Sequence, residues 1–197
     1  MKTIIKSFMA GVSISLGGFV FLSSDVKIIG ALLFSIGLLL VCTMNYNLFT
    51  GKICYLGKSV HFPNVVVIWI FNFVGTFLMG LLTRFVKPEL ITRAQAICNT
   101  KMQEEPIVVF ILGMLCNILI FFAVHEYKNN THELGKYLMI VVCIVVFIMS
   151  GFEHCIANMY YFSVAGMKIT YLMFLNINTF GNALGGILAY RLTEWSN

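Results

Sequence analysis

Charge is scarce in this chain. Only 11% of its 197 residues are charged, 59% are hydrophobic, and the mean hydropathy is +0.91. Soluble domains carry about 25% charge, so a soluble core is excluded. The composition reads as an integral membrane protein, a single transmembrane domain over residues 1–197. The net charge of +5 is spread over polar connections with no basic run, which argues against a nucleic-acid partner. Six cysteines are present, at 42, 54, 98, 116, 143 and 155, but none form a C-x-x-C pair. Most lie in apolar stretches and read as small hydrophobes, neither a disulfide framework nor a metal site. A phosphate-binding G-x-x-x-x-G-K-[ST] loop is absent, so ATP-driven transport is not encoded. No aspartate falls inside an apolar stretch, which leaves a Ser/His/Asp arrangement unsupported. Only one histidine, His154, lies in such a stretch, whereas zinc needs three or four ligands. The expectation is therefore no enzyme, no metal and no cofactor.

What is present is apolar length. A membrane span takes about 17–25 residues, and six segments qualify or nearly so. They are Ile4–Leu22, Ile28 to about Met44, Val65–Leu82, Ile107–Val124, Tyr137–Phe152 continuing to about Gly166, and Tyr171–Tyr190. The second meets a polar interruption at Asn45-Tyr46-Asn47 and resumes weakly through Ile53–Leu56. The fifth breaks at Glu153–Asn158. Spans two and five are thus expected to be broken helices. The longest polar segment, Arg84–Glu105, suits a short amphipathic helix at Pro88–Cys98. His61, His125 and His132 fall in expected loops. Lys2 and Lys6 precede the first apolar run, but that run is long and lacks a small-x-small cleavage pattern, so it reads as a retained helix. Counting Lys and Arg on alternate connections gives seven on the side of both termini and six on the other. The bias is slight and places the N- and C-termini in the cytoplasm.

The halves rhyme. Phe8-x-x-Gly11-x-x-x-Ser15 matches Phe110-x-x-Gly113-x-x-x-Asn117, Asn47-Leu48 matches Glu153-His154, and Asn72-x-x-Gly75 matches Asn182-x-x-Gly185. Three spans per copy is odd, so the second copy enters the membrane inverted. Repeat one covers about 4–83 and repeat two about 106–194. Such repeats place a site at their interface, where the two breaks face each other.

Ionisable groups inside an apolar span mark a functional site by default. Glu153 and His154 stand side by side, with Asn158 close behind. Histidine exchanges protons or donates hydrogen bonds near neutral pH. Glu153 is read as structural, its carboxylate bonded to N–H groups freed by the break, and His154 as pore-facing. Thr50 offers a hydroxyl from the opposite break. Asn117 and Asn158 offer amides, with helix-to-helix hydrogen bonding the equal alternative. An intramembrane enzyme built on Glu153 and His154 lacks a nucleophile or metal.

L-F-T-G at Leu48–Gly51 and G-F-E-H-C-I-A-N-M at Gly151–Met159 resemble the two signatures of the formate/nitrite transporter family. G-M-L-C-N at Gly113–Asn117, with Lys101 sixteen residues before its Asn, resembles that family's fourth-span motif. The resemblance runs from about Phe8 to Trp195. It departs at Asn47, where the family usually has an acid, and in the short ends. The resemblance implies an all-α membrane fold of six helices in an aquaporin-like arrangement, a homopentamer in the plasma membrane, and one pore per subunit. It implies passage of small monovalent weak-acid anions, formate foremost, with nitrite or hydrosulfide next. It assigns His154, Thr50, Asn117, Asn158 and Lys101 to the pore and Phe34, Leu48 and Phe147 to its apolar constriction. Asn47, Gly51 and Glu153 are assigned to the breaks. The competing reading is a pore for neutral solutes such as hydrogen sulfide, ammonia or water.

Overall fold

The computed structural model describes residues 1–196, and all its regular elements are helices. In chain order they are α1 (Lys2–Ser23), α2 (Lys27–Phe34), α3 (Ile36–Thr43), α4 (Phe49–Ile53), α5 (Phe62–Val86), α6 (Glu89–Lys101), α7 (Pro106–Asn129), α8 (Glu133–Met149), α9 (Cys155–Ala165) and α10 (Ile169–Ser196). Four of them, α1, α5, α7 and α10, are each long and apolar enough to cross a membrane. Pro63 and Pro106 open α5 and α7 in the first turn, where a missing N–H is harmless. The outward faces carry leucine, isoleucine and phenylalanine, among them Leu32, Leu82 and Phe180. Such an apolar exterior suits lipid.

Close packing in lipid requires small residues at helix contacts. Gly75 of α5 lies against α1, where an added Cβ would sit 3.1 Å from the Val12 nitrogen and 3.2 Å from the Gly11 Cα. Gly185 of α10 lies against α7 in the same way, with an added Cβ only 2.7 Å from the Met114 Cα. Both helix pairs therefore meet backbone to backbone.

The non-helical stretches 44–48 and 150–154 are built alike. At the end of α3, Asn45 adopts φ +52° and the Tyr46 N–H returns to the Val41 carbonyl at 2.9 Å. At the end of α8, Gly151 adopts φ +72° and the Phe152 N–H returns to the Phe147 carbonyl at 2.9 Å. Each is a left-handed helix stop, and glycine and asparagine are the residues that tolerate it best. Leu48 and His154 then take extended conformations and open α4 and α9.

The α8–α9 stop falls earlier than the sequence suggests. A break over Glu153–Asn158 was expected, but α9 begins at Cys155, so Asn158 is helical. The cause is His154 itself: its Nδ1 accepts the Ala157 N–H at 3.1 Å and caps the new helix. His125, expected in a loop, sits in α7, which runs to Asn129. The expected amphipathic helix is α6, extended to Lys101.

Candidate functional site

Two asparagines hold the stretches in place. Asn72 of α5 accepts the Phe49 N–H on Oδ1 at 2.8 Å, and its Nδ2 donates to the Asn47 and Ser7 carbonyls at 2.9 and 2.7 Å. Asn182 of α10 accepts the Cys155 N–H at 2.9 Å and donates to the Glu153 and Gly113 carbonyls at 2.8 and 2.7 Å. Both side chains are fully buried, and each satisfies backbone groups that no helix can reach. A buried unsatisfied group costs about 1–3 kcal/mol, so each amide stabilises its stretch by several such units. Sequence reasoning noticed this pair only as a repeat marker.

The stretches meet through their side chains. Thr50, in the first turn of α4, lies with Oγ1 3.0 Å from His154 Nε2, and both residues are buried. Because Nδ1 accepts from the Ala157 N–H, the neutral imidazole carries its proton on Nε2. That N–H donates to Thr50. Phe147 stacks on the imidazole with ring centres 6.0 Å apart, and Phe34 meets Phe147 edge-on at 5.9 Å.

Around this contact lie three spaces in series. A cavity of about 410 Å³ is lined by His154, Glu153, Lys101, Asn158, Lys27, Phe147 and Tyr161. Next comes a closed gap bounded by His154, Phe147, Phe34, Ile14, Leu38, Ile120 and Ile144, with no room for a water molecule. A second cavity, of about 360 Å³, is lined by Leu48, Gly51, Val41, Cys42, Val124, Lys52 and Lys128. His154 and Phe147 border both the first cavity and the closed gap.

Several expected positions take other partners. The Glu153 carboxylate does not hold freed N–H groups. It accepts from Lys101 Nζ at 2.6 Å on each oxygen and from Asn158 Nδ2 at 2.7 Å. The N–H groups near the break go to Asn182 and to His154 instead, and Glu153 offers Asn182 and Asn178 its carbonyl. Asn158 Nδ2 also donates to Asn178 Oδ1 at 2.9 Å. Lys101 borders the cavity, but its charge is already matched by a carboxylate. Asn117 bonds across to the Asn182 carbonyl at 2.7 Å and borders none of the three spaces, and its buried Oδ1 has no partner. Its role here is helix-to-helix bonding. Asn47 contributes its main chain, donating to the Lys6 carbonyl and accepting from Asn72. Gly51 lies inside α4, and a Cβ there would make an ordinary 3.5 Å contact with Val124. Ile14, Leu38, Ile120 and Ile144 were not foreseen. Each is one aliphatic residue among many, and only the fold distinguishes those at the gap.

The geometry is that of a helical membrane protein with two cavities and a dry, apolar separation between them. The chain belongs to the formate/nitrite transporter family: the family model described as Formate/nitrite transporter matches residues 1–196. It is a membrane transporter of that family. Among its relatives, the formate channel FocA of Haemophilus influenzae is 29% identical over 68% of this chain, and the match spans 52% of that relative's length. The nitrite transporter NirC of Salmonella typhimurium is 29% identical over 82% of this chain and 68% of its own. A solved structure described as a pentameric formate channel with formate bound has the same fold. Its TM-score is 0.85 at 23% identity, covering 99% of this chain and 96% of the other.

Proposed function

We propose that this chain is a channel for small monovalent weak-acid anions, formate foremost and nitrite or hydrosulfide next. The path runs from one cavity through the closed gap to the other. A bare anion pays a large desolvation cost in the apolar gap, whereas its neutral acid pays little. The observation that carries the reading is the buried His154–Thr50 contact at the edge of that gap. A carboxylate arriving from the His154 cavity displaces Thr50 as acceptor of the Nε2 hydrogen. To deliver a proton, the ring must first take one from the cavity. With Nδ1 committed to the Ala157 N–H, taking a second proton means giving up that bond. Hydrogen-bond donation is therefore the resting role of His154, and proton transfer is coupled to loosening of the α9 start. Phe34 and Phe147 on the gap, and Leu48 at the second cavity, hinder hydrated ions.

The architecture we propose is six crossings in two inverted repeats, about 4–83 and 106–194, with α2–α4 and α8–α9 each making one interrupted crossing. Its support is the matched stops at Asn45 and Gly151, the matched clamps Asn72 and Asn182, and the matched glycine contacts. We further propose a homopentamer in the plasma membrane with both termini in the cytoplasm. No nucleic acid, cofactor or chemistry on a substrate enters this account. The test is uptake of labelled formate and nitrite into proteoliposomes, with and without an imposed pH difference. Uptake that follows the proton gradient supports the weak-acid reading. Gradient-independent passage of ammonia or hydrogen sulfide, with no formate flux, supports the neutral-solute pore that the dry gap also suits.

A further inference from the structure

The two cavities differ in how their charges are matched. On the His154 side, Lys101 is paired with Glu153, and Lys27 donates to the Met149 carbonyl at 3.4 Å. On the Leu48 side, Lys52 and Lys128 line the cavity with no acidic side chain beside them. Among the described residues, neither has a carboxylate within ion-pair distance. The acids at this end are engaged elsewhere: Glu194 with Lys58, Glu133 with Lys136, and Glu126 with Asn130. Lys128 lies 4.9 Å from the centre of the Tyr55 ring, a contact that orients the ammonium without neutralising it. Lys6 adds a third charge that acts on Lys52. The cavity is otherwise walled by Val41, Leu48 and Val124, low-dielectric surfaces that focus a positive potential.

We propose that Lys52 and Lys128 form a binding site for a small monovalent anion in the Leu48-side cavity, just outside the dry gap. The inference builds on the transport reading, in which this anion is the transported species waiting at one mouth. The site makes the two mouths unequal: the Leu48 side collects anions, while the His154 side presents a matched pair and a neutral donor.

The cavity carries its own reporter. Cys42 lines it, and among the described residues Cys42 is the one cysteine that is not buried. The experiment measures how fast Cys42 reacts with two thiol reagents of similar size, an anionic sulfonatoethyl and a cationic trimethylammonioethyl methanethiosulfonate. The wild-type protein is expected to favour the anionic reagent, and added formate to slow its reaction. In the Lys52→Gln, Lys128→Gln double variant the anionic-to-cationic rate ratio should fall about five- to tenfold, the size expected for two unit charges acting across a screened aqueous cleft. Lys52→Arg with Lys128→Arg should keep the ratio, which separates lost charge from lost fold, and Cys42→Ser supplies the blank. An unchanged ratio in the glutamine variant, or no protection by formate, would overturn the proposal. Because the readout needs no flux, it is decided separately from the transport reading.

Discussion

Neutralising Glu153 should weaken the protein through the lysine it leaves behind. Lys101 Nζ lies 2.6 Å from both carboxylate oxygens, and the two side chains are 17% and 5% exposed. Breaking a buried pair by removing one partner costs about 3–5 kcal/mol, most of it from the stranded charge. Lys101 borders a cavity that admits water, so Glu153→Gln should cost less, about 2–3 kcal/mol. Lys101→Met strands the carboxylate, which keeps only the Asn158 amide, and should cost at least as much. The double variant leaves no stranded charge. Its loss should fall short of the sum of the two by about 2 kcal/mol. Thermal unfolding of the detergent-purified variants, followed by intrinsic fluorescence with chemical denaturation as a check, measures each corner of the cycle. Losses that add to within about 0.5 kcal/mol would refute the claim that the pair acts as a unit.

Asn72→Ala and Asn182→Ala each remove three hydrogen bonds to buried backbone and should each lower stability by about 2–4 kcal/mol; the same unfolding assay checks both, and a loss in only one would argue against matched clamps. Gly185→Val should prevent α7 and α10 from packing, seen as loss of the monodisperse peak on size exclusion, because the space its side chain needs is taken by Met114 backbone. Replacing Thr50 with valine removes the acceptor of the His154 Nε2 hydrogen and should cost about 1–3 kcal/mol of stability; formate flux then reports whether the hydroxyl also matters for passage.

The sequence reveals most where physics makes polarity expensive. Asn45-Tyr46-Asn47 and Glu153-His154 stand out because polar groups at depth need partners, and both stretches are indeed where helices stop and restart. Asn72-x-x-Gly75 and Asn182-x-x-Gly185 are visible as a rhyme, and each pairs an amide clamp with a backbone contact. Asn158 was misplaced because helix capping by a histidine ring nitrogen leaves no strong trace in sequence. The partner of Glu153 was missed because Lys101 lies 52 residues away, on a helix that sequence shows only as amphipathic. Lys52 looked like one loop lysine among several. Its interest appears only when α4 and the end of α7 are seen to enclose one cavity.

The central claim is that the His154 imidazole governs how a weak-acid anion crosses the dry gap. The most direct measurement is formate uptake into proteoliposomes by wild type and by His154→Phe, an aromatic replacement that cannot donate a hydrogen bond or carry a proton, across external pH from about 5 to 8. The account predicts that the variant loses most of its flux near neutral pH and that its pH profile changes shape. A variant whose flux and profile both match wild type would contradict it.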